Sequence, residues 1–220
     1  PNANIRVAPA LPQMSRAELL AFVKGATAVV TMFHDRVDEE FLNACGPQLR
    51  GVCNFAVGYD NIDLNACANR NVIVTNTPDA VTEGTANMAW ALLLACSRRL
   101  IESDRFVRAG RFEREGNIFP TGWMGMHLTG QKLLIVGAGR IGRAVAQRGL
   151  AFGMNILYSA RSRHLDWELA PLVARRVDLE QGLREADVIS LHVPLNPSTR
   201  HLLNAANLKL LKPTAIVINT

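Results

Sequence analysis

The sequence is short of the features that would place it in a membrane or outside the cell. No apolar run reaches the roughly 18 residues that a spanning helix requires. The opening stretch, "PNANIRVAPALPQMSRAELL", has no positive start leading into an apolar segment, as a secretion signal would. Cysteine is scarce. Cys45, Cys53, Cys67 and Cys96 form no C-x-x-C pair and show no metal-ligand spacing with histidine. The expectation is a cytoplasmic, metal-free protein whose thiols are reduced and lie in the core. Basic runs are also missing, although the net charge is +5. The arginines are scattered, with doublets only at Arg98-Arg99 and Arg175-Arg176, and no aromatic stripe runs between them. Neither a nucleic-acid nor a membrane partner is therefore expected, and the positive balance suits a small anionic ligand.

What is present is enough for a packed core. The chain has 220 residues, of which 49% are hydrophobic, so it can form one large domain or two small ones. Short β-type runs alternate with helical stretches. "IRVAP", "TAVVTM", "LRGVCNFAVG" and "VIVTN" read as strands. "SRAELLAFVKG" is a helix with a capping box at Ser15 and Glu18, and "DEEFLNACG" and "NIDLNACANR" are further helices. After Thr77-Pro78, "VTEGTANMAWALLLACSRRLIESDRFVRAG" reads as one long helix joining two lobes, with apolar residues at Met88, Leu92, Ala95 and Cys96. "RFEREGNIFPTGWMGMHLTG" has no period. It is either an excursion that packs on a partner subunit or a surface loop. From Gln131 the alternation resumes: "KLLIVG", "NILYS", "DVISLHV" and "TAIVIN" as strands, and Ile141 to Phe152, "DLEQGLREA" and "NAANLKLLK" as helices. Such alternation predicts an α/β fold in which helices cover a parallel sheet.

The strongest local signal is Gly137-Ala138-Gly139-Arg140-Ile141-Gly142, a G-x-G-x-x-G between an apolar strand and a helix within one βαβ unit. Gly137 would permit the tight turn, Gly139 the approach of a pyrophosphate, and Gly142 the close seating of helix on strand. A turn that serves packing alone remains the competing reading. No acidic residue stands between Gly137 and Arg163, where an NAD site commonly places one to accept from the ribose hydroxyls. The chain offers Ser159, Arg161, Ser162 and Arg163 instead. A ribose 2′-phosphate would be held by an arginine fork and a hydroxyl and repelled by an aspartate. NADP(H) is therefore the expected cofactor, with NAD(H) possible. Two merely solvated arginines are the alternative.

Several segments together carry a family likeness: "NFAVGYDNIDL", "VTNTPDAVTEGTANMAWALLL", "DRFVRAGRF", "GAGRIGRAVAQRGLAFGMNILYSARSR" and "LHVPLNPSTRHLLN…LKLLKPTAIVINT". In order and spacing they resemble the D-isomer-specific 2-hydroxyacid dehydrogenases, and among these most the glyoxylate/hydroxypyruvate reductases. The resemblance implies a flavodoxin-like substrate lobe over residues 1–80 and a Rossmann doubly wound cofactor lobe over residues 81–220, both incomplete. It implies that the N–H groups of Val57 and Gly58 hold a substrate carboxylate, though Gly58 could serve only a turn. It places Thr85 near the nicotinamide, Arg140 and Ile141 against the pyrophosphate, and Arg161, Ser162 and Arg163 on the adenosine-phosphate loop. Val193 and Pro194 would line the adenine side, and Thr220 would approach the nicotinamide riboside. It also implies a homodimer.

The family's catalytic Arg, Glu and His have no counterpart up to Thr220, so no catalytic residue is assigned. The expectation is a fragment, truncated at both ends and inactive by itself, of an enzyme that reduces glyoxylate or hydroxypyruvate with NADPH. His34, His127, His164, His192 and His201 show no acidic partner at a telling spacing and are expected to be structural or surface residues. A catalytically silent dinucleotide-binding module is the alternative function, and a nucleic-acid binder would rest on net charge alone.

Overall fold

A computed structural model describes residues 4–9, 12–115 and 123–220. The chain divides into two compact units, Pro1–Ala80 and Val81–Thr220.

In the first unit, α1 (Arg16–Phe22) begins at the Ser15/Glu18 capping box, and β1 (Ala28–Thr31) follows. Then come α2 (Glu39–Cys45), β2 (Gly51–Asn54), α3 (Leu64–Asn69) and β3 (Ile73–Thr75). Asp38 and Asp63 start α2 and α3 by accepting from the N–H groups of Phe41 and Ala66. The strands pair in parallel, in the order β1-β2-β3. Val52, Phe41, Leu42, Cys45 and Cys67 form the centre of a small core on one sheet face. On the other face Val30, Cys53 and Ile73 are exposed, as the two-residue side-chain period requires.

Two expectations fail here. "IRVAP" is not a strand: residues 4–9 adopt no regular structure, and Ile5 and Val7 are exposed. A strand needs a ladder partner, and β1 hydrogen-bonds only with β2 among the described residues. The thiols are not all in the core either. Cys45 and Cys67 are buried, but Cys53 lies on the open sheet face and Cys96 is also exposed.

The second unit opens with α4 (Thr82–Ser97), α5 (Leu100–Arg108) and α6 (Arg111–Glu115). The single long helix expected here is therefore broken. The Ser97 carbonyl, which the ladder would offer to the next turn, accepts instead from the N–H of Met126 at 2.8 Å. Gly125 allows that approach, since a Cβ there would overlap the same carbonyl. Arg99 takes a left-handed conformation (φ 51°) and the chain restarts as α5. Nor does α4 act as a bare connector. Ala86, Ala89, Trp90 and Leu93 are buried in the second unit's core, and Trp90 Nε1 donates to Val145 O at 3.1 Å. The apolar positions singled out at Met88, Leu92 and Cys96 face outward. The aperiodic stretch after Gly110 is helical to Glu115. Its residues 116–122 lie outside the described residues, and Leu128 joins the core.

From Lys132 the alternation runs β4 (Lys132–Val136), α7 (Arg140–Ala151), β5 (Asn155–Ser159), α8 (Leu165–Glu168) and β6 (Arg175–Arg176). It continues with α9 (Leu179–Glu185), β7 (Val188–Leu191), α10 (Ala205–Leu208) and β8 (Ile216–Asn219). Five parallel strands take the order β6-β5-β4-β7-β8. This is a doubly wound Rossmann-type sheet: the order reverses beside β4, the place where such sheets open a crevice for a ligand. Leu133, Leu134 and Ile135 of β4 are fully buried between helical layers. Each such side chain contributes about 1.5–3 kcal/mol by leaving water.

Candidate functional site

The carboxyl ends of β4, β5, β7 and β8 lie at one edge of the second unit's sheet, with Val136 level with Ser159 and Leu191, and Leu191 with Asn219. The glycine turn leaves β4 at this edge. Gly137 N–H donates to Ser159 O at 2.9 Å, and His192 N–H donates to Val136 O at 2.8 Å. Three of the turn's residues are glycine for three different reasons. Gly137 has φ +104°, and a Cβ on it would stand 2.5 Å from the His192 carbonyl oxygen. Gly142 lets α7 close on the turn and on β4, since a Cβ there would overlap the Gly137 carbonyl oxygen and press on Ile135 Cγ2 at 2.9 Å.

Gly139 is unlike them. Its φ is −89°, open to any residue, and a Cβ would meet no protein atom within 4 Å. Packing explains two of the glycines and leaves the middle one to the space in front of the turn. That space faces the start of α7, where Gly139 is the N-cap and no side chain caps the helix. The start of α7 thus presents the helix's partial positive charge to that space, a match for a diphosphate. Arg140 and Ile141 begin this helix. Val193 stands beside the turn, with Cγ1 3.0 Å from the position of a Cβ on Gly137. Pro194 follows it and its carbonyl accepts from Thr199 Oγ1.

The loop after β5 carries Arg161, Ser162 and Arg163. The structure treats its two arginines differently. The Arg163 guanidinium lies on the Glu168 carboxylate through Nε (3.0 and 2.9 Å) and Nη2 (2.5 Å). Glu168 also accepts from the Tyr158 hydroxyl at 2.7 Å, and that hydroxyl accepts from His164 N–H at 3.0 Å. Arg163 first, then Tyr158, hold the Glu168 carboxyl down at about 2. Burial, with Glu168 alongside, pushes the Tyr158 phenol up. Ser162 Oγ sits 3.3 Å from His164 Nε2. No carboxylate pairs with Arg161 among the described residues. Glu168 and Tyr158 order this loop, and sequence reasoning assigned a role to neither. The signal was available only as an acid five residues after an arginine, a spacing that becomes a contact because the short helix α8 turns the chain back.

In the first unit, Val57 and Gly58 occupy the turn beyond β2. Their carbonyls are held from behind: Asn76 Nδ2 donates to Val57 O at 2.9 Å and Asn54 Nδ2 to Gly58 O at 2.8 Å. Asn54 is itself buried and accepts from Thr31 Oγ1 at 3.0 Å. With the carbonyls anchored, the N–H groups of Val57 and Gly58 have no acceptor among the described residues. Two adjacent amides without an acceptor in a turn offer donors to an anion. Gly58 has no left-handed φ, and a Cβ on it would meet only the Asp60 side chain, at 3.1 Å. The clamps Asn54 and Asn76 were not assigned from sequence. A buried asparagine ending an apolar strand was the available sign, since asparagine is depleted in strands.

The other named residues are more dispersed. Thr85 is half-buried on α4, and Thr220 directly follows β8 at the same sheet edge as the glycine turn. His192 is mostly buried, with Nε2 2.8 Å from Ser190 Oγ, and burial pulls it down to about 4. Its ring is therefore neutral near pH 7 and carries one N–H. His34 does have an acid nearby, Asp35 at 3.7 Å, which is beyond hydrogen-bonding distance. Among the described residues no group of three His, Cys, Asp or Glu could hold a metal ion, and no helix is long and apolar enough to cross a membrane.

Comparison with known proteins gives the family. Residues 90–220 match the family model for the D-isomer specific 2-hydroxyacid dehydrogenase, NAD binding domain. A glyoxylate reductase of Thermococcus onnurineus is 46% identical over 208 residues, which is 94% of this chain and 62% of that protein. Among solved structures, a protein of Thermus thermophilus superposes with a TM-score of 0.85 at 40% identity, covering 94% of this chain and 64% of that one. The D-lactate dehydrogenase of Aquifex aeolicus, complexed with NAD and lactic acid, gives 0.82 at 30% identity, over 94% and 59% respectively. The chain spans 62% of the length of the first of these relatives.

Proposed function

The chain belongs to the D-isomer specific 2-hydroxyacid dehydrogenase family, and from that premise we propose that it serves the NADPH-dependent reduction of a small 2-oxo acid, glyoxylate or hydroxypyruvate, to the D-2-hydroxy acid. Gly139 is the observation that carries the reading. Its identity answers to no strain and no protein contact, so a ligand is what requires the space. The amides opening α7, from Arg140 onward, take the diphosphate, and Gly137 and Gly142 hold the turn in place. Val193 and Pro194 line the adenine side. Arg161, Ser162 and Arg163 form the loop that meets a 2′-phosphate, and the absence of any acid between Gly137 and Arg163 favours NADP(H) over NAD(H).

When bound, the dinucleotide supplies the hydride. The chain's own contribution is orientation. The N–H groups of Val57 and Gly58, aimed by Asn54 and Asn76, hold the substrate carboxylate, while Thr85 and Thr220 flank the nicotinamide end. The name of the Thermococcus relative supports glyoxylate as a substrate. A homodimer fits the exposed apolar side chains Met88, Leu92, Leu100, Ile101 and Val107 along α4 and α5.

The test is the oxidation of NADPH by the whole protein, followed by loss of reduced-nicotinamide absorbance. Glyoxylate and hydroxypyruvate should support turnover, and more efficiently with NADPH than with NADH. No turnover with any small 2-oxo acid, despite bound cofactor, would refute the proposal.

A further inference from the structure

The loop beyond β5 is approached by a third arginine from a different strand. Arg176 lies on β6, level with Tyr158 in the parallel register. Its Nη2 reaches past the strand end to the carbonyl oxygens of Ala160 and Arg161, at 3.3 and 3.4 Å. Both contacts are at the outer limit of hydrogen bonding, and a guanidinium has five N–H donors in all. Arg176 is exposed, and no carboxylate lies within ion-pair distance of it among the described residues, although its charge adds, after Arg163 and Tyr158, to what holds Glu168 down.

Its neighbours are committed elsewhere. Arg175, on the opposite sheet face, is held by Glu185 at 2.5 Å. Arg163 is held by Glu168 through the three contacts already described. Asp166, the next acid along, pairs with Arg143. Arg161, Arg163 and Arg176 carry +3 and Glu168 carries −1, leaving +2 at the loop. A phosphate monoester brings about −1.5 to −2 at neutral pH. Drawing Arg163 into the site would strip Glu168 of a bidentate partner, whereas Arg161 and Arg176 can turn to an anion without breaking an ion pair.

The geometry points to Arg176, rather than Arg163, as the second cation beside Arg161 that recognises the 2′-phosphate of NADP(H). This rests on the phosphate-loop reading above and assigns its ligands. Arg163 becomes a positioning residue: with Glu168 and Tyr158 it fixes the loop's shape.

The experiment is equilibrium binding of NADPH and NADH to the chain and to Arg161→Gln, Arg163→Gln, Arg176→Gln and Arg176→Lys, with unfolding midpoints recorded for each. Losing one charge-assisted contact should weaken NADPH binding to Arg176→Gln about tenfold or more and leave NADH binding unchanged. The loss should be comparable at Arg161, smaller at Arg163, and partly recovered in Arg176→Lys. Affinity for NADPH should rise with pH through about 6 as the phosphate gains its second charge. That rise should flatten in Arg176→Gln, which a loop-bracing role would not produce. Equal losses of NADPH and NADH in Arg176→Gln, or a larger NADPH loss in Arg163→Gln, would overturn the assignment while leaving the phosphate loop standing. No NADPH preference in the unaltered chain would overturn the phosphate loop itself, and the assignment with it.

Discussion

Substituting the glycines of the turn separates folding from binding. Alanine at Gly137 must adopt φ +104° and face the His192 carbonyl at 2.5 Å. Left-handed strain costs about 1–2 kcal/mol and the overlap about 1–3 kcal/mol, for a total of roughly 2–5 kcal/mol. Alanine at Gly139 sits at φ −89° with nothing within 4 Å of its Cβ. It loses a little as an N-cap and gains a little from a less flexible unfolded chain, so stability should stay within about 1 kcal/mol. Binding should show the reverse pattern. A Cβ in the diphosphate space removes one or more charge-assisted bonds of about 1.5–3 kcal/mol each, weakening the dinucleotide roughly tenfold to a hundredfold. The assay is thermal unfolding by intrinsic fluorescence alongside a cofactor titration. Trp90, Trp123 and Trp167 are the chain's three tryptophans and all lie in residues 81–220, so the signal reports the unit that carries the turn. Gly137→Ala should lower the midpoint by roughly 4–20 °C, and Gly139→Ala should leave it nearly in place while losing the cofactor. If Gly139→Ala melts like Gly137→Ala, or binds the dinucleotide as well as the unaltered chain, the reasoning about the open space is wrong.

The remaining predictions concern pH and the first unit. Burial holds His192 at about 4, against about 6.5 unfolded. The stability from its neutral ring is therefore complete above about pH 6.5 and lost as pH falls toward 4, roughly 3 kcal/mol in all. His192→Gln should flatten that slope in urea unfolding at stepped pH. Lys132, Gln181 and Arg175 hold Glu185 down at about 2, so its contribution is present above about pH 4.5 and lost as pH falls through 2. Glu185→Gln should unfold with a shallower acid dependence in that window, and the difference should shrink in high salt because the pairs are surface pairs. Asn54→Ala leaves the Gly58 carbonyl and the Thr31 hydroxyl without their partner, and should cost about 1–3 kcal/mol by urea unfolding. It should also raise the KM for the 2-oxo acid at unchanged NADPH affinity.

The doubly wound sheet was legible because its central strand, "KLLIVG", is a continuous apolar run closed by glycine and flanked by further apolar runs, a pattern that a strand buried on both faces needs. The glycine turn was legible for a related reason, since backbone conformation and close approach are written directly into residue identity. Long-range capture was not legible. Nothing within "SRRLIESD" announces that Met126 will take the Ser97 carbonyl and end α4, because the competing donor lies almost thirty residues downstream. Nor could the sequence divide Arg161 from Arg163. That division depends on Glu168 returning through α8, and on Arg176 arriving from a two-residue strand too short to show a period. "IRVAP" has strand composition but lacks a neighbour to pair with, and pairing is a property of the sheet rather than of the segment.

The central claim is tested most directly by a crystal structure of the chain with NADPH. The account predicts the diphosphate against Gly139 and the first amides of α7, with the 2′-phosphate within hydrogen-bonding distance of Arg161. A dinucleotide bound away from that turn, or a diphosphate touching none of those amides, would contradict it.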